Sequence, residues 1–183
     1  MRTPEITRED LLPDQRQIWD DIADKRPTVG GPFQVLLNYP ELAKRVTNVG
    51  TLLRFDGNLS DGVRELAIIS TAREFDATIE WAAHTPLARK GGVSEATIEV
   101  VRDRGAVDGL DESDAAIIQY CRELFREKRV SQKLFDKAQA LFGIPGLVEL
   151  TVLIGYYSMI ACCLNAFDVE AGPEFKDQLP VGA

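Results

Sequence analysis

Apolar residues recur three and four positions apart along most of the chain, and sustained alternation of apolar and polar residues is absent from the sequence. These apolar stretches are separated by residues that start or end helices: prolines in a first turn, serine and aspartate N-caps, and terminal glycines. The pattern predicts helices over 13–26, 40–53, 60–75, 78–90, 94–104, 111–128, 131–142 and 145–169, with an irregular stretch at 28–39. We therefore expect an all-α fold, a bundle of about eight helices with short connections.

The length of the chain predicts one domain. Its 183 residues are 45% hydrophobic, which is enough to bury a substantial core without metal or disulfide support. No linker or repeat interrupts the helical pattern. We expect a single domain over 1–183, with an N-terminal helical extension at 1–28 and a loose tail at 170–183.

Charge and cysteine content narrow the possible partners. A net charge of −8 argues against nucleic-acid binding, which needs clustered basic residues. Cys121 stands alone and Cys162 and Cys163 are adjacent, so the spacing favours neither a disulfide framework nor a metal site. The polar N-terminus lacks the pattern of a signal peptide, and we expect a cytoplasmic protein.

One apolar segment, 147–167, has a length that could cross a bilayer. It contains Glu149 and Asn165 and lacks basic flanks. Isolated carboxylates are costly in lipid, whereas a helix that is apolar on all sides also occurs in a protein core or subunit interface. We therefore expect no membrane partner.

The candidate chemistry lies around His84, the only histidine of the chain. Glu80 precedes it by four residues, so both side chains lie on one face of a helix, together with Leu87. On the preceding helix, Glu65 lies on the apolar face. Two carboxylates in different surroundings beside one imidazole are suited to proton transfer near neutral pH.

Each of these positions also has a purely structural interpretation. The Glu80 and His84 pair occurs widely as a helix-stabilising hydrogen bond, and Glu65 has a possible ion-pair partner in Arg73 rather than a cavity. The same two alternatives, core or pocket, apply to the aromatic residues Trp81, Tyr156 and Tyr157.

Two stretches of sequence resemble a known family. R-E-L-A-I-I-S-T-A-R at 64–73 and E-W-A-A-H-T-P-L-A-R-K-G-G-V-S at 80–94 are similar to the carboxymuconolactone decarboxylase family, which includes the alkylhydroperoxidase D proteins. A weaker likeness at Gly31-Pro32-Phe33 and from Tyr157 to Phe167 extends the resemblance over most of 31–170. The resemblance implies an alkylhydroperoxidase D-like helical fold.

The chain departs from the peroxidase branch of that family. The branch has a glutamate, eleven residues, a cysteine, two residues, a second cysteine, three residues and a histidine. These positions correspond to Glu65, Ala77, Glu80 and His84, so both sulfurs are missing. Ser158 replaces the usual asparagine after the tyrosine of the last helix. A dithiol peroxidase mechanism is therefore not available at these positions.

The remaining pattern resembles the decarboxylase branch, which implies roles for the candidate residues. His84 would supply or relay a proton, Glu80 would orient it, and Glu65 would act as a second acid or hold the polar network. Arg73 would receive the substrate carboxylate. Trp81 and Tyr157 would contact the substrate, and the chemistry requires neither a metal nor another cofactor.

The resemblance favours a lyase that acts on a small carboxylated lactone or a related intermediate of aromatic degradation, in a homo-oligomer, commonly a trimer or hexamer. Two alternatives stay open. One is a non-catalytic ligand-binding or scaffold protein. The other is a thiol peroxidase that uses Cys162 or Cys163 in place of the missing pair.

Overall fold

All regular secondary structure in the described part of the chain is helical, which confirms the all-α prediction. The computed structural model describes residues 1–26 and 28–180. A π-helical turn, Leu52–Asp56, follows the third helix directly. The α-helices are α1 (Arg16–Lys25), α2 (Pro32–Leu36), α3 (Pro40–Thr51), α4 (Asp61–Glu74), α5 (Thr78–Lys90), α6 (Glu95–Arg102), α7 (Glu112–Arg126) and α8 (Gln132–Ala166).

The predicted boundaries differ from the structure mainly near the N-terminus. The stretch predicted to be irregular contains α2, which starts where Gly31 adopts a φ of 56° and Pro32 occupies the first turn. Helix α1 begins at Arg16, three residues later than expected, and ends at Lys25, one residue before the predicted end. The predicted N-caps Ser60, Ser94 and Asp111 all accept a backbone hydrogen bond.

The chain divides into two compact units. The first comprises Met1–Gly57 and Cys162–Glu170, and the second comprises Asn58–Ala161 and the chain from Ala171. In the second unit, α4 is buried from Glu65 to Arg73 and packs against α5, α6 and α7. The expectation of a single domain over the whole chain stays a prediction.

Helices α4 and α5 form an antiparallel hairpin through the short turn at 75–77. Their outer ends are held close by two glycines. A Cβ atom at Gly62 would lie 2.6 Å from the carbonyl oxygen of Gly91, and a Cβ atom at Gly91 would lie 2.8 Å from the amide nitrogen of Gly62. Only glycine permits this approach of the two backbones. The close approach fixes how the side chains between the two helices meet.

Glu149, the carboxylate of the apolar segment, holds the loop before α4. Its two carboxylate oxygens accept the amide hydrogens of Asn58, at 3.0 and 2.9 Å, and of Leu59, at 3.3 Å. Backbone donors satisfy the charge, which explains how a carboxylate is tolerated in an otherwise apolar helix. Glu149 thereby helps to position the start of α4.

Helix α8 contains a break at Gly143, where φ is 65° and ψ is 171°, as the glycine and proline at 143 and 145 predicted. By length and composition, α8 could cross a membrane, with a mean hydropathy of 1.8 over its most apolar window. Half of that window is buried inside the protein. This observation is consistent with the interpretation of 147–167 as a core or interface helix.

The C-terminal tail differs from the prediction of a loose segment at 170–183. The amide of Ala171 donates to the Thr78 hydroxyl at 3.1 Å, Asp177 forms an ion pair with Arg89 at 2.8 Å, and Leu179 is buried. The tail is therefore anchored over its described part, because these specific contacts offset the entropy of ordering it. Residues 181–183 lie outside the described residues.

Candidate functional site

The hairpin of α4 and α5 brings Glu65 against His84. Glu65 lies ten residues before the turn at Phe75, and His84 lies seven residues after Ala77, so the antiparallel arrangement places them side by side. The Nδ1 atom of His84 is 2.6 Å from Oε2 of Glu65. The two side chains are 6% and 4% exposed, which makes this a buried contact.

Glu80 approaches the other nitrogen of the same ring. The Nε2 atom of His84 is 3.2 Å from Oε2 of Glu80, whose side chain is 8% exposed. An imidazole with a carboxylate at each nitrogen can donate to both only as the imidazolium. The arrangement therefore favours a protonated His84 between two carboxylates.

The electrostatics of the cluster raise the pKa of His84 above its ordinary value. Burial by itself lowers that pKa, because it disfavours the charged ring. The hydrogen bonds and negative charges of Glu65 and Glu80 outweigh burial. The cluster therefore favours the protonated form of His84, with a carboxylate at each ring nitrogen.

Tyr157 borders the cluster from α8. Its ring lies with its centroid 5.2 Å from that of His84, at an interplanar angle of 82°. Tyr156 packs against Tyr157 in a similar edge arrangement at 5.4 Å. Edge contacts of this kind fix ring orientation. The structure therefore brings Tyr157 to the predicted site and leaves its substrate contact a prediction.

Arg64 also contacts the cluster of Glu65, Glu80 and His84, and the sequence pattern did not identify it as a site residue. Its Nε atom is 3.5 Å from Oε1 of Glu65, and its side chain is only 13% exposed. It also pairs with Asp61 at 2.6 Å and donates to the carbonyl oxygen of Leu59 at 3.4 Å. Arg64 places a positive charge beside Glu65, which a protonated His84 contacts from the other side. In the sequence, only its position directly before Glu65 indicated that Arg64 could contact this carboxylate.

Arg73 is not brought to the cluster. It lies eight residues after Glu65 on α4, about 12 Å along the helix. Its guanidinium pairs with Asp76 and donates to the carbonyl oxygen of Arg102 at 2.6 Å. The contacts of Arg73 close the C-terminal end of α4, so the predicted role as receptor of a substrate carboxylate beside His84 does not fit the structure.

Trp81 lies in the interior of the second unit, 2% exposed, and its backbone carbonyl accepts the hydroxyl of Thr85 at 2.7 Å. The burial matches the core alternative for this residue, and its substrate contact stays a prediction. Within residues 1–26 and 28–180, no three His, Cys, Asp or Glu side chains have the arrangement of a metal site. The expectation of cofactor-free chemistry stays a prediction.

The thiols stand apart from this chemistry. Cys121 is buried, and burial raises its pKa to about 12. Cys163 is half-buried, and burial together with the adjacent Cys162 raises its pKa. Neither residue therefore favours the thiolate, the form that reacts with peroxide. Cys162 is exposed.

Comparison with known proteins gives a family match over part of the chain. Residues 40–123 match the sequence profile described as the carboxymuconolactone decarboxylase family. This segment contains α3 to α6, most of α7, and the three residues Glu65, Glu80 and His84. The sequence has no significant match among curated proteins.

Two solved structures have a similar fold. One is an uncharacterized peroxidase-related protein from Ralstonia eutropha JMP134 with an alkylhydroperoxidase AhpD core, at a TM-score of 0.74 and 18% identity, covering 95% of this chain and 93% of that protein. The other is an uncharacterized peroxidase-related protein from Silicibacter sp. TM1040, at a TM-score of 0.73 and 17% identity, covering 97% and 95%. At these identities the likeness establishes the fold, which confirms the predicted alkylhydroperoxidase D-like bundle.

Proposed function

We propose, from the match of residues 40–123 to the carboxymuconolactone decarboxylase family, that the protein is a cofactor-free decarboxylase of a small carboxylated lactone. The observation that carries this proposal is the buried imidazole held between two carboxylates, 2.6 and 3.2 Å away. The contacts of Glu80 and His84 are with side chains. That favours a working acid–base group over a scaffold in which these residues are satisfied by backbone.

The proposed reaction has two steps. The bond between the ring carbon and the carboxylate carbon breaks, carbon dioxide leaves, and the electron pair moves through the conjugated system onto the lactone carbonyl oxygen. The electron pair then returns from that oxygen to a ring carbon of the conjugated system as the carbonyl re-forms, and this carbon takes the Nε2 proton of the His84 imidazolium. Solvent protonates His84 again. Glu80 holds the Nε2 side of the ring until the substrate takes its place as proton acceptor.

Glu65 and Arg64 have the orienting role in this proposal. The short contact of Glu65 fixes Nδ1 of His84, so the ring presents Nε2 on the side of Glu80. Arg64 is itself held by Asp61 and a backbone carbonyl, and it places a positive charge beside Glu65. This series of contacts keeps the imidazole of His84 in one orientation, which lowers the reorganisation needed for proton transfer.

The direct test is an ultraviolet assay of carboxymuconolactone consumption by the purified protein. We expect the absorbance of the lactone to fall with release of one carbon dioxide per turnover and without added metal or cofactor. A panel of related carboxylated lactones and keto acids extends the assay to other substrates of the same class. No turnover anywhere on this panel would contradict the proposal.

The peroxidase-related description of the two structural neighbours favours a second candidate, a thiol peroxidase based on Cys162 or Cys163. The same preparation serves as its test. We expect no peroxide consumption above that of a variant with both cysteines replaced by serine. Peroxide reduction that disappears in the double variant would favour the second candidate instead.

We also propose that the protein is a homo-oligomer larger than a dimer and that α8 supplies its contact. Four apolar side chains recur along one face of the helix at spacings of four, four and seven residues. Each is at least 39% exposed: Ile144, Val148, Val152 and Met159. A contiguous apolar stripe on a chain of this size is typical of a subunit interface.

Light scattering at micromolar protein is expected to give a mass of three or six chains. Val148→Glu places a charge in the middle of the stripe and is expected to reduce the mass to one or two chains. Gln139→Glu adds the same charge at an exposed position of α8 outside the stripe and should leave the mass unchanged. A monomeric wild-type protein would remove this proposal.

A further inference from the structure

Two arginines of the first unit lie on phenylalanine rings. The Cζ atom of Arg26 is 4.6 Å from the ring centroid of Phe33 and 5.6 Å from that of Phe55. The Cζ atom of Arg54 lies 5.3 Å from the same Phe55 ring. Two guanidinium groups therefore lie within 6 Å of one ring, a cation–π arrangement that concentrates positive charge in an apolar setting.

Carboxylates of the described residues do not neutralise Arg54, since none lies within ion-pair distance of it. Its Nε atom is buried and has no hydrogen-bond acceptor within residues 1–26 and 28–180. Thr47 of α3, seven residues before Arg54, also buries a hydroxyl without a partner among the described residues. Buried donors without acceptors are rare in folded proteins and call for an explanation, such as an absent water or ion. Positive charge and open donors together favour an anion.

The backbone at this place is also unusual. Arg54 and Phe55 lie on the π-helical turn Leu52–Asp56. Turns of this type are rare and occur frequently at functional sites. Phe55 is 43% exposed although it is a large apolar residue, so part of its ring is open to a planar molecule. These features describe a charged position beside an exposed aromatic surface.

We propose that Arg54 and Phe55, with the second positive charge of Arg26, form a binding site for a small organic carboxylate with a planar, unsaturated or aromatic body. The guanidinium of Arg54 would donate to the carboxylate, because its planar fork matches the two oxygens. Phe55 would stack on the planar body. All of these residues lie in the first unit, so the proposal does not depend on catalysis by His84.

Binding of benzoate to the wild-type protein tests the site without any variant. We expect a saturable signal by isothermal titration calorimetry and a shift of the Arg54 Nε–H resonance in an ¹⁵N NMR spectrum, assigned by its loss in Arg54→Gln. Benzamide has the same ring without the charge, and we expect it to bind at least about tenfold more weakly, the scale of one charge-assisted hydrogen bond. Equal affinity for benzoate and benzamide, or no binding of benzoate, would overturn the proposal.

Matched variants then locate the site. Arg54→Gln is expected to weaken benzoate binding by at least about tenfold. Arg45→Gln removes the same charge from an exposed arginine of α3, whose ion-pair partner is Glu41 at 3.7 Å, and should leave the affinity unchanged. Phe55→Leu should reduce the preference for benzoate over acetate. Undiminished benzoate binding by folded Arg54→Gln would show that the site lies elsewhere and would refute the assignment.

Discussion

Replacement of His84 by glutamine is expected to lower the turnover of carboxymuconolactone by roughly 10²- to 10⁴-fold, the usual contribution of a positioned general acid. Glutamine keeps a polar side chain between Glu65 and Glu80, but its amide has no proton acidic enough to be transferred near neutral pH. The loss should appear in kcat rather than in KM, because the proton transfer stabilises the transition state and not the bound substrate. The ultraviolet assay at saturating lactone measures it.

Glu80→Gln should also remove most of the turnover, since Glu80 holds the nitrogen that faces the substrate in the proposal. Glu99→Gln is the matched control, because Glu99 is an exposed residue of α6 outside the cluster. Circular dichroism and light scattering must show each variant folded and assembled as the wild type. Full activity in folded His84→Gln and Glu80→Gln would refute the acid–base mechanism.

The second large effect is on stability and its pH dependence. The pKa of His84 is raised in the folded protein, so the folded state binds the proton more tightly than the unfolded chain does. The resulting stabilisation is fully present below about pH 6.5, the ordinary value for histidine. It is lost as the pH rises through the pKa of His84 in the folded state.

Glu65→Gln is expected to lower the free energy of unfolding by about 3 kcal/mol at pH 6, because it leaves a buried imidazolium with one partner fewer. The difference from wild type should shrink as the pH rises, since His84 is then neutral in both proteins. Urea unfolding at several pH values and one protein concentration measures it. Glu99→Gln should show no such dependence, and a difference that stays constant with pH would contradict the role of His84.

NMR gives an independent readout, because the chain has one histidine and its ring signals need no further assignment. The pKa of His84 should fall in both glutamine variants. The fall should be larger for Glu65→Gln than for Glu80→Gln, since the contact of Glu65 is 2.6 Å and that of Glu80 is 3.2 Å. A wild-type pKa below the ordinary value would contradict the proposed charge state.

Much of the helical framework was predictable because its signals are local. Prolines, glycines and N-cap residues mark the starts and ends of α3 to α8 within a few positions, including the break at Gly143. Helix α2 was missed because five residues are too few for periodicity to register. The tail was predicted to be loose because the contacts that hold it join residues far apart in the sequence. The contact between Asp177 and Arg89, for example, joins residues 88 positions apart.

The candidate site was predictable only in part. The pairing of Glu80 with His84 follows from their spacing on one helix, and the burial of Glu65 follows from its apolar neighbours. The helical wheel could not assign the partner of Glu65. It left open whether Glu65 pairs with Arg73 or faces a cavity, because a wheel gives the direction of a side chain and not its distance from another helix.

The sequence by itself determined the helices, the inward direction of the two glutamates and the absence of cysteine at Ala77 and Glu80, since each depends on neighbouring residues along the chain. The tertiary structure decided which groups meet. The close backbone approach at Gly62 and Gly91 sets Glu65 against His84, while Asp76 and a backbone carbonyl hold Arg73 at the far end of α4. The physical reason is that hydrogen bonds and ion pairs act over a few ångströms, and only packing brings residues from separate helices within that distance.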